Sequence, residues 1–304
     1  MTLDLPLIWG LILAIGVFMY VLLDGFDLGV GMLTFHARSE TWLIIGGGGL
    51  FAAFPKAYGI IMPAFYLPVL IMLAALIFRG VAFEFRHKAV RKPTRVFWNS
   101  AFFGGSATAA FAQGLMLGGM IQGINVEGGA FAGGAFDWLT PFSILVGVSV
   151  VIGYLLLGSC WLVLKTEGEL YNRARNWARM SLVGVAIAFL AVSLATLAID
   201  PSVGARWGFT MTSIDFARLL PLSPAPSAGM ALCAWLWRDL SMKPGPNAAP
   251  DWRPYLLAVG VFLSGYIGLG VSLYPYIVPF EYTIWDAAAR DNALGFMLVG
   301  AGIM

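Results

Sequence analysis

The stretch LPLIWGLILAIGVFMYVLLDGFDLGVGML, residues 5–33, is apolar over the length of a membrane span yet carries two carboxylates, Asp24 and Asp27. A helix needs roughly twenty residues to cross the hydrocarbon core, so the run is long enough to span. An ionised side chain inside such a segment costs roughly 2.5–3.5 kcal/mol on insertion scales, so it faces a bundle interior, a partner charge or a water-filled path. A separation of three residues puts both carboxylates on one helix face. The run is too long for a cleavable signal peptide, lacks a basic leading region and contains the acidic pair, so it is expected to stay in the mature protein.

The rest of the 304 residues agrees with this reading. The chain is 60% hydrophobic, 14% aromatic and only 11% charged, with a mean hydropathy of +0.83, which excludes an ordinary soluble domain. Eighteen Lys and Arg against 16 Asp and Glu leave a formal charge of +2, so nothing points to a nucleic-acid partner. Further apolar segments recur near 42–62, 65–85, 97–123, 138–164, 177–199, 214–237, 254–278 and from 291 onward, which predicts about nine spans in a single transmembrane domain over 1–304. Pro55, Lys56 and Pro63 interrupt the second span, and Pro221, Pro224 and Pro226 predict a broken or kinked seventh. The ninth stops at Met304 without a cap or basic flank, so the pattern is expected to continue beyond it.

Basic residues then orient the chain. Arg86, Lys88, Arg91, Lys92 and Arg95 follow the third span, Lys165, Arg173, Arg175 and Arg179 the fifth, and Arg238, Lys243 and Arg253 the seventh. The intervening loops carry Glu127 and Asp137, Asp200 with Arg206, and Glu281 with Asp286 and Arg290. The positive-inside rule therefore predicts an outside N-terminus and a cytoplasmic C-terminus. In that frame Asp24, Asp27, Arg79 and Glu84 share a depth near the cytoplasmic face. The simplest account pairs Arg79 with Asp24 or Asp27 as a buried ion pair. Glu84 is left without an assigned partner, which makes it a candidate for a group that takes up and releases protons; the alternative is a satisfied interfacial carboxylate.

Other features set limits. His36 and His87, the two histidines, fall in predicted cytoplasmic loops, so no span offers a histidine pair to a haem, and no Cys/His cluster has metal-ligand spacing. Cys160 and Cys233 read as packing residues. Walker, GxSxG and dinucleotide-binding motifs are absent. The run Gly46, Gly47, Gly48, Gly49 lies in an apolar segment, where it reads as close helix packing and not as a phosphate cradle.

Several stretches together resemble subunit II of the cytochrome bd-type quinol oxidases. They are DGFDLGVG at 24–31, ETWL at 40–43 leading through Gly46–Gly49 to FAAFP at 51–55, FRGVAFEFR at 78–86, YPYIVP at 274–279 and TIWDA at 283–287. The resemblance implies an all-α polytopic fold of two four-helix bundles plus one additional helix. It implies a subunit of a two-major-subunit respiratory oxidase of the bacterial cytoplasmic membrane, which oxidises quinol and reduces dioxygen to water. It places haems b and d, or b-type haems alone, in subunit I and none in this chain, and it allows for small single-helix subunits and a bound quinone. By the same resemblance Glu84 matches an acidic residue on a proton path beside Arg79, Trp42 a tryptophan lining a dioxygen route, and Asp24 and Asp27 an acidic motif with a structural or proton-linked role. On the residues alone, Trp42 reads equally as packing near the membrane interface.

One departure stands out. Members of that family carry a longer segment after the first span, ending in Trp-Asp-Gly-Asn, whereas here His36-Ala37-Arg38-Ser39 runs almost directly into Glu40. Either residues that the 304 do not include belong there, or proton entry is built differently. Two other readings stand beside the oxidase subunit: a scaffold that conducts nothing, and a proton-coupled secondary transporter, which should instead show inverted repeats and a midplane polar site.

Overall fold

The computed structural model describes residues 4–33, 42–199, 201–209, 215–242 and 251–303, with the side chains of 42–46, 218, 302 and 303 outside the description. His36, Glu40 and Lys243 therefore lie outside the described residues.

Helices dominate, in the order α1 (Leu5–Leu33), α2 (Trp42–Ala53), α3 (Pro55–Ala64), α4 (Tyr66–Lys88), α5 (Lys92–Gln122), α6 (Pro141–Lys165), α7 (Gly168–Ile199), α8 (Pro201–Arg206), α9 (Phe216–Leu222), α10 (Pro224–Ser241), α11 (Arg253–Leu273), α12 (Ile284–Ala287) and α13 (Asp291–Ile303). Two small hairpins interrupt them, β1 (Val126–Glu127) with β2 (Ala130–Phe131), and β3 (Tyr276–Val278) with β4 (Tyr282–Thr283). Among the described residues five helices, α1, α4, α6, α7 and α11, are long and apolar enough to cross a membrane. The chain is an all-α polytopic membrane protein.

Proline explains where many helices begin. Pro55, Pro93, Pro141, Pro224 and Pro254 each sit in the first turn of a helix, where the missing N–H is no loss and the fixed φ suits the helix. This corrects the expected second span of 42–62. It is not one helix but two, α2 and α3, parted at Phe54 because Pro55 cannot continue the ladder of α2 and starts α3 instead. The expected seventh span is likewise divided into α9 and α10 at Ser223, ahead of Pro224. The basic loops also shrink. Arg86, His87 and Lys88 form the last turn of α4, and Arg173, Arg175 and Arg179 lie within α7, not in a loop.

The helix α6 sits at the centre. It packs against α1, α5, α7 and α11, while α4 packs on α5, α10 on α7 and α11, and α2 and α13 on α1. The larger core joins α1 residues such as Phe26 and Leu28 to Tyr154, Leu156 and Leu157 of α6 and to Leu236 of α10. A second core at the end where α1 begins gathers Trp9, Phe54, Ile60, Phe65, Val278, Ile284 and Leu294. Leu70, Ile71, Ile77 and Phe78 of α4 face outward, as on a surface that meets lipid or another subunit.

Candidate functional site

The second half of α1 is buried continuously from Asp24 to Met32, which a one-sided helix could not achieve. Glycines make this possible. A Cβ on Gly29 would collide with the Tyr154 carbonyl, and one on Gly158 would strike the main chain at Gly29 and Val30, so α1 and α6 cross in direct backbone contact. On α5, a Cβ at Gly105 would come within 2.8 Å of the Ala75 carbonyl and 3.1 Å of Arg79 Cβ, so α4 lies close to α5 at this depth. These approaches bring three helices onto the carboxylates of α1.

Arg79 of α4 reaches across this space. Its Nη2 donates to Asp27 Oδ2 at 2.6 Å and to the Asp27 carbonyl at 3.3 Å, and the two side chains are 4% and 9% exposed. The guanidinium carbon lies 5.1 Å from the centroid of Phe102, which adds a cation–π contact on a face where no water competes. Of the two carboxylates expected to neutralise Arg79, Asp27 is in direct contact with it. Asp24 is buried as well.

Glu84 does not lie with these groups. It is one and a half turns further along α4 on the exposed side, where Lys88 Nζ lies 2.5 Å from its Oε1, the side chains of Lys88 and Glu84 being 69% and 62% exposed. Glu84, to which the sequence assigns no partner, is thus paired with Lys88 one turn along the same helix. Nearby, Arg86 Nε donates to Asn99 Oδ1 at 2.6 Å, and His87 Nδ1 contacts the Phe83 carbonyl at 2.9 Å.

The glycine run is less uniform than its sequence suggests. Gly49 packs on Leu13, where a Cβ would lie 2.6 Å from Cδ2, whereas at Gly47 and Gly48 a Cβ would meet nothing within 4 Å. Among the described residues, then, Gly49 alone of these three tightens a helix contact. Trp42 is the first residue of α2, and its side chain lies outside the description, as do the surroundings of Gly46.

Two interhelical polar groups escaped the sequence reading. The first spans three helices: Tyr154 Oη donates to Gln113 Oε1 at 2.6 Å, and Gln113 Nε2 donates to Tyr20 Oη at 2.6 Å. The second centres on Arg175 of α7, whose Nη2 donates to the carbonyls of Asp239 and Met242, both at 2.9 Å, and whose Nη1 meets Tyr171 Oη at 3.2 Å. Arg175 thereby caps the C-terminal carbonyls of α10, which a positive charge also suits electrostatically. Among the described residues no three His, Cys, Asp or Glu side chains converge on a point that could hold a metal ion.

A helical membrane protein with a buried Arg–Asp pair at a glycine-lined helix crossing is a class that many families share, and the comparisons narrow it. The family model described as cytochrome bd terminal oxidase subunit II matches residues 35–304. The chain belongs to that family. It is 33% identical over 209 residues to the protein named cytochrome bd-I ubiquinol oxidase subunit 2 of Escherichia coli strain K12, covering 61% of this chain and 55% of that one. It is 34% identical over 209 residues to cytochrome bd ubiquinol oxidase subunit 2 of Bacillus subtilis, covering 61% and 62%. The match to a probable cytochrome oxidase subunit 2 of Haemophilus influenzae is 25% identical but covers 98% of this chain and 89% of that one. The chain spans about half the length of the E. coli relative it matches. In fold it is similar to a chain of the bd oxidase from Geobacillus thermodenitrificans, with a TM-score of 0.75 at 15% identity over 99% of this chain and 94% of that one.

Proposed function

We propose that this chain is subunit II of a respiratory quinol oxidase in the bacterial cytoplasmic membrane, which couples quinol oxidation to the reduction of dioxygen to water. In this reading the 304 residues form one transmembrane domain with an outside N-terminus and a cytoplasmic C-terminus. The chain supports a haem-bearing subunit I and binds no haem itself. The haems supply the electron transfer and oxygen chemistry; this chain supplies access for protons and for dioxygen.

The observation that carries the reading is the buried Arg79–Asp27 pair beside Asp24, reached along α4 from Glu84. Five residues of helix separate Glu84 from Arg79, about 7.5 Å along the axis. Reducing dioxygen to water consumes protons, and those must enter from the cytoplasm. Glu84, exposed and held by Lys88, is placed to collect them, while the buried carboxylates of α1 lie one step inward. Trp42, next to the glycine run, is assigned to the dioxygen route.

The test is Glu84→Gln in the assembled oxidase, with quinol-driven oxygen consumption as the readout. Slowed turnover at normal assembly and haem content is the expected result; unchanged turnover removes Glu84 from the path. One observation favours the scaffold reading instead: both ion pairs, Arg79–Asp27 and Lys88–Glu84, are closed and need no proton to be satisfied. A scaffold tolerates Gln at position 84, so the same experiment separates the two.

A further inference from the structure

We propose that the surface where α7 packs on α10 binds an anionic phospholipid: Arg179 holds the phosphate, Trp237 backs its guanidinium, and one side of α7 takes an acyl chain. The inference goes beyond the oxidase reading and is independent of which groups carry protons.

Depth comes first. Beyond Arg179, α7 runs through residues 180–199, none of them charged, which makes about 30 Å of helix, the thickness of the hydrocarbon core. Arg179 is therefore the last cation before the hydrocarbon, at the level of lipid phosphates. One turn earlier, Arg175 donates to the carbonyls of Asp239 and Met242, both at 2.9 Å. Those bonds tie α7 to the end of α10 and bring Arg179 level with Trp237. The guanidinium carbon of Arg179 lies 5.1 Å from the Trp237 ring centroid, and Trp237 is 42% exposed, so the cation–π pair sits at the surface. Tryptophan is favoured at that depth because its ring is amphipathic.

The pattern along α7 matches the rest of a lipid. Asn172, Asn176, Arg179, Val183, Ile187 and Leu194 recur at helical spacing down one side of the helix, and all but the half-buried Arg179 are exposed. From the start of α7 this stripe passes from amides able to bond a headgroup, to a cation at the phosphate, to an apolar track of about 17 Å for an acyl chain.

Charge then selects the headgroup. Arg179 makes no hydrogen bond or ion pair with a described residue, and its planar fork fits two phosphate oxygens at once. The two helices carry one acid each: Glu169 is engaged by Arg173 at 2.5 Å, and Asp239 is buried. Arg238, exposed in the last turn of α10, adds a second cation. A zwitterionic headgroup brings an ammonium that meets only cations here, whereas a headgroup of net negative charge is matched.

The test is native mass spectrometry of the purified, delipidated complex titrated with phosphatidylglycerol or with phosphatidylcholine of the same chain length. Wild type is expected to hold one phosphatidylglycerol several-fold more tightly than phosphatidylcholine, and Arg179→Gln to lose that one molecule. Arg173→Gln removes an equal charge from the same helix outside the stripe and is expected to bind as wild type does. Unchanged binding in Arg179→Gln overturns the site. So does an equal loss in Arg173→Gln, the mark of diffuse attraction, and so does a wild type without the preference, as when another protein covers this face. Inorganic phosphate equimolar with the lipid is expected to leave it bound; displacement would show a site for a free anion and overturn the lipid. If Arg179→Gln does not assemble, Arg179→Met, which keeps the stem of the side chain, is read by the same two outcomes.

Discussion

Gly29 of α1 and Gly158 of α6 meet main chain to main chain, and neither position has space for a single further carbon atom. Because the obstructing atoms are backbone, no rotamer change relieves the clash. The crossing is also what brings the Tyr154 ring onto Gly25.

Gly158→Ala should therefore part α1 from α6, at a cost of about 1–3 kcal/mol or more by overpacking, while Gly47→Ala should cost little because nothing lies within 4 Å of its added carbon. Thermal unfolding of the purified complex, followed by haem release, compares the two. Equal stability of both variants would contradict the crossing.

Arg79→Leu leaves Asp27 buried without its cation, a loss on the order of 3–5 kcal/mol for a broken buried pair, eased where the carboxyl takes up a proton. Poor assembly is the expected outcome. Arg79→Leu with Asp27→Asn should recover assembly, since the stranded charge is gone; a double variant as defective as the single one would show that the pair is not what matters.

Trp42 sets a size at the start of α2. If it lines a dioxygen route, Trp42→Phe and Trp42→Ala shift the apparent affinity for oxygen at constant quinol affinity, whereas a packing role lowers stability alone. Oxygen-electrode titration of the folded series distinguishes them, and identical oxygen affinities throughout would end the channel assignment.

Asp286 closes a capping box with Thr283, accepting from the Thr283 hydroxyl and, at 3.1 Å, from its backbone N–H. The side-chain bond, then the backbone bond, hold its carboxyl below the ordinary value of 3.8. A depressed carboxyl stabilises the fold fully above its ordinary range and loses that contribution as pH falls through the lowered value. Hydrogen exchange of the segment 276–290 should thus be flat near neutrality and rise in acid, and Asp286→Asn should remove the rise. An unchanged acid response in that variant would assign it to another group.

How much of the molecule is legible in the sequence depends on how local each signal is. Asp24 and Asp27 stand out because a carboxylate inside twenty-nine apolar residues has few explanations, and Arg79 follows as a cation at matching depth. The 2.6 Å contact between Arg79 and Asp27 depends on side-chain reach between helices, which no spacing encodes. Glu84 and Lys88 are four residues apart, a helix-surface pair that spacing reveals only once the helix is carried past residue 85. The charge of Arg175 suggests a loop, whereas its guanidinium serves the open carbonyls of α10. Tyr20, Gln113 and Tyr154 give no signal at all: each stands between apolar neighbours in sequence, and the three-dimensional crossing aligns them. The prolines predict breaks in two spans, but not that Pro55 and Pro224 each found a new helix.

The 52 positions that separate Asp27 from Arg79 impose an order on biogenesis. Synthesis delivers α1 to the membrane long before α4 leaves the ribosome, and the surface of α6 that covers Asp24 arrives later still. During that interval Asp27 has no Arg79 to meet, so the packed form of α1 is completed only once α4 has emerged.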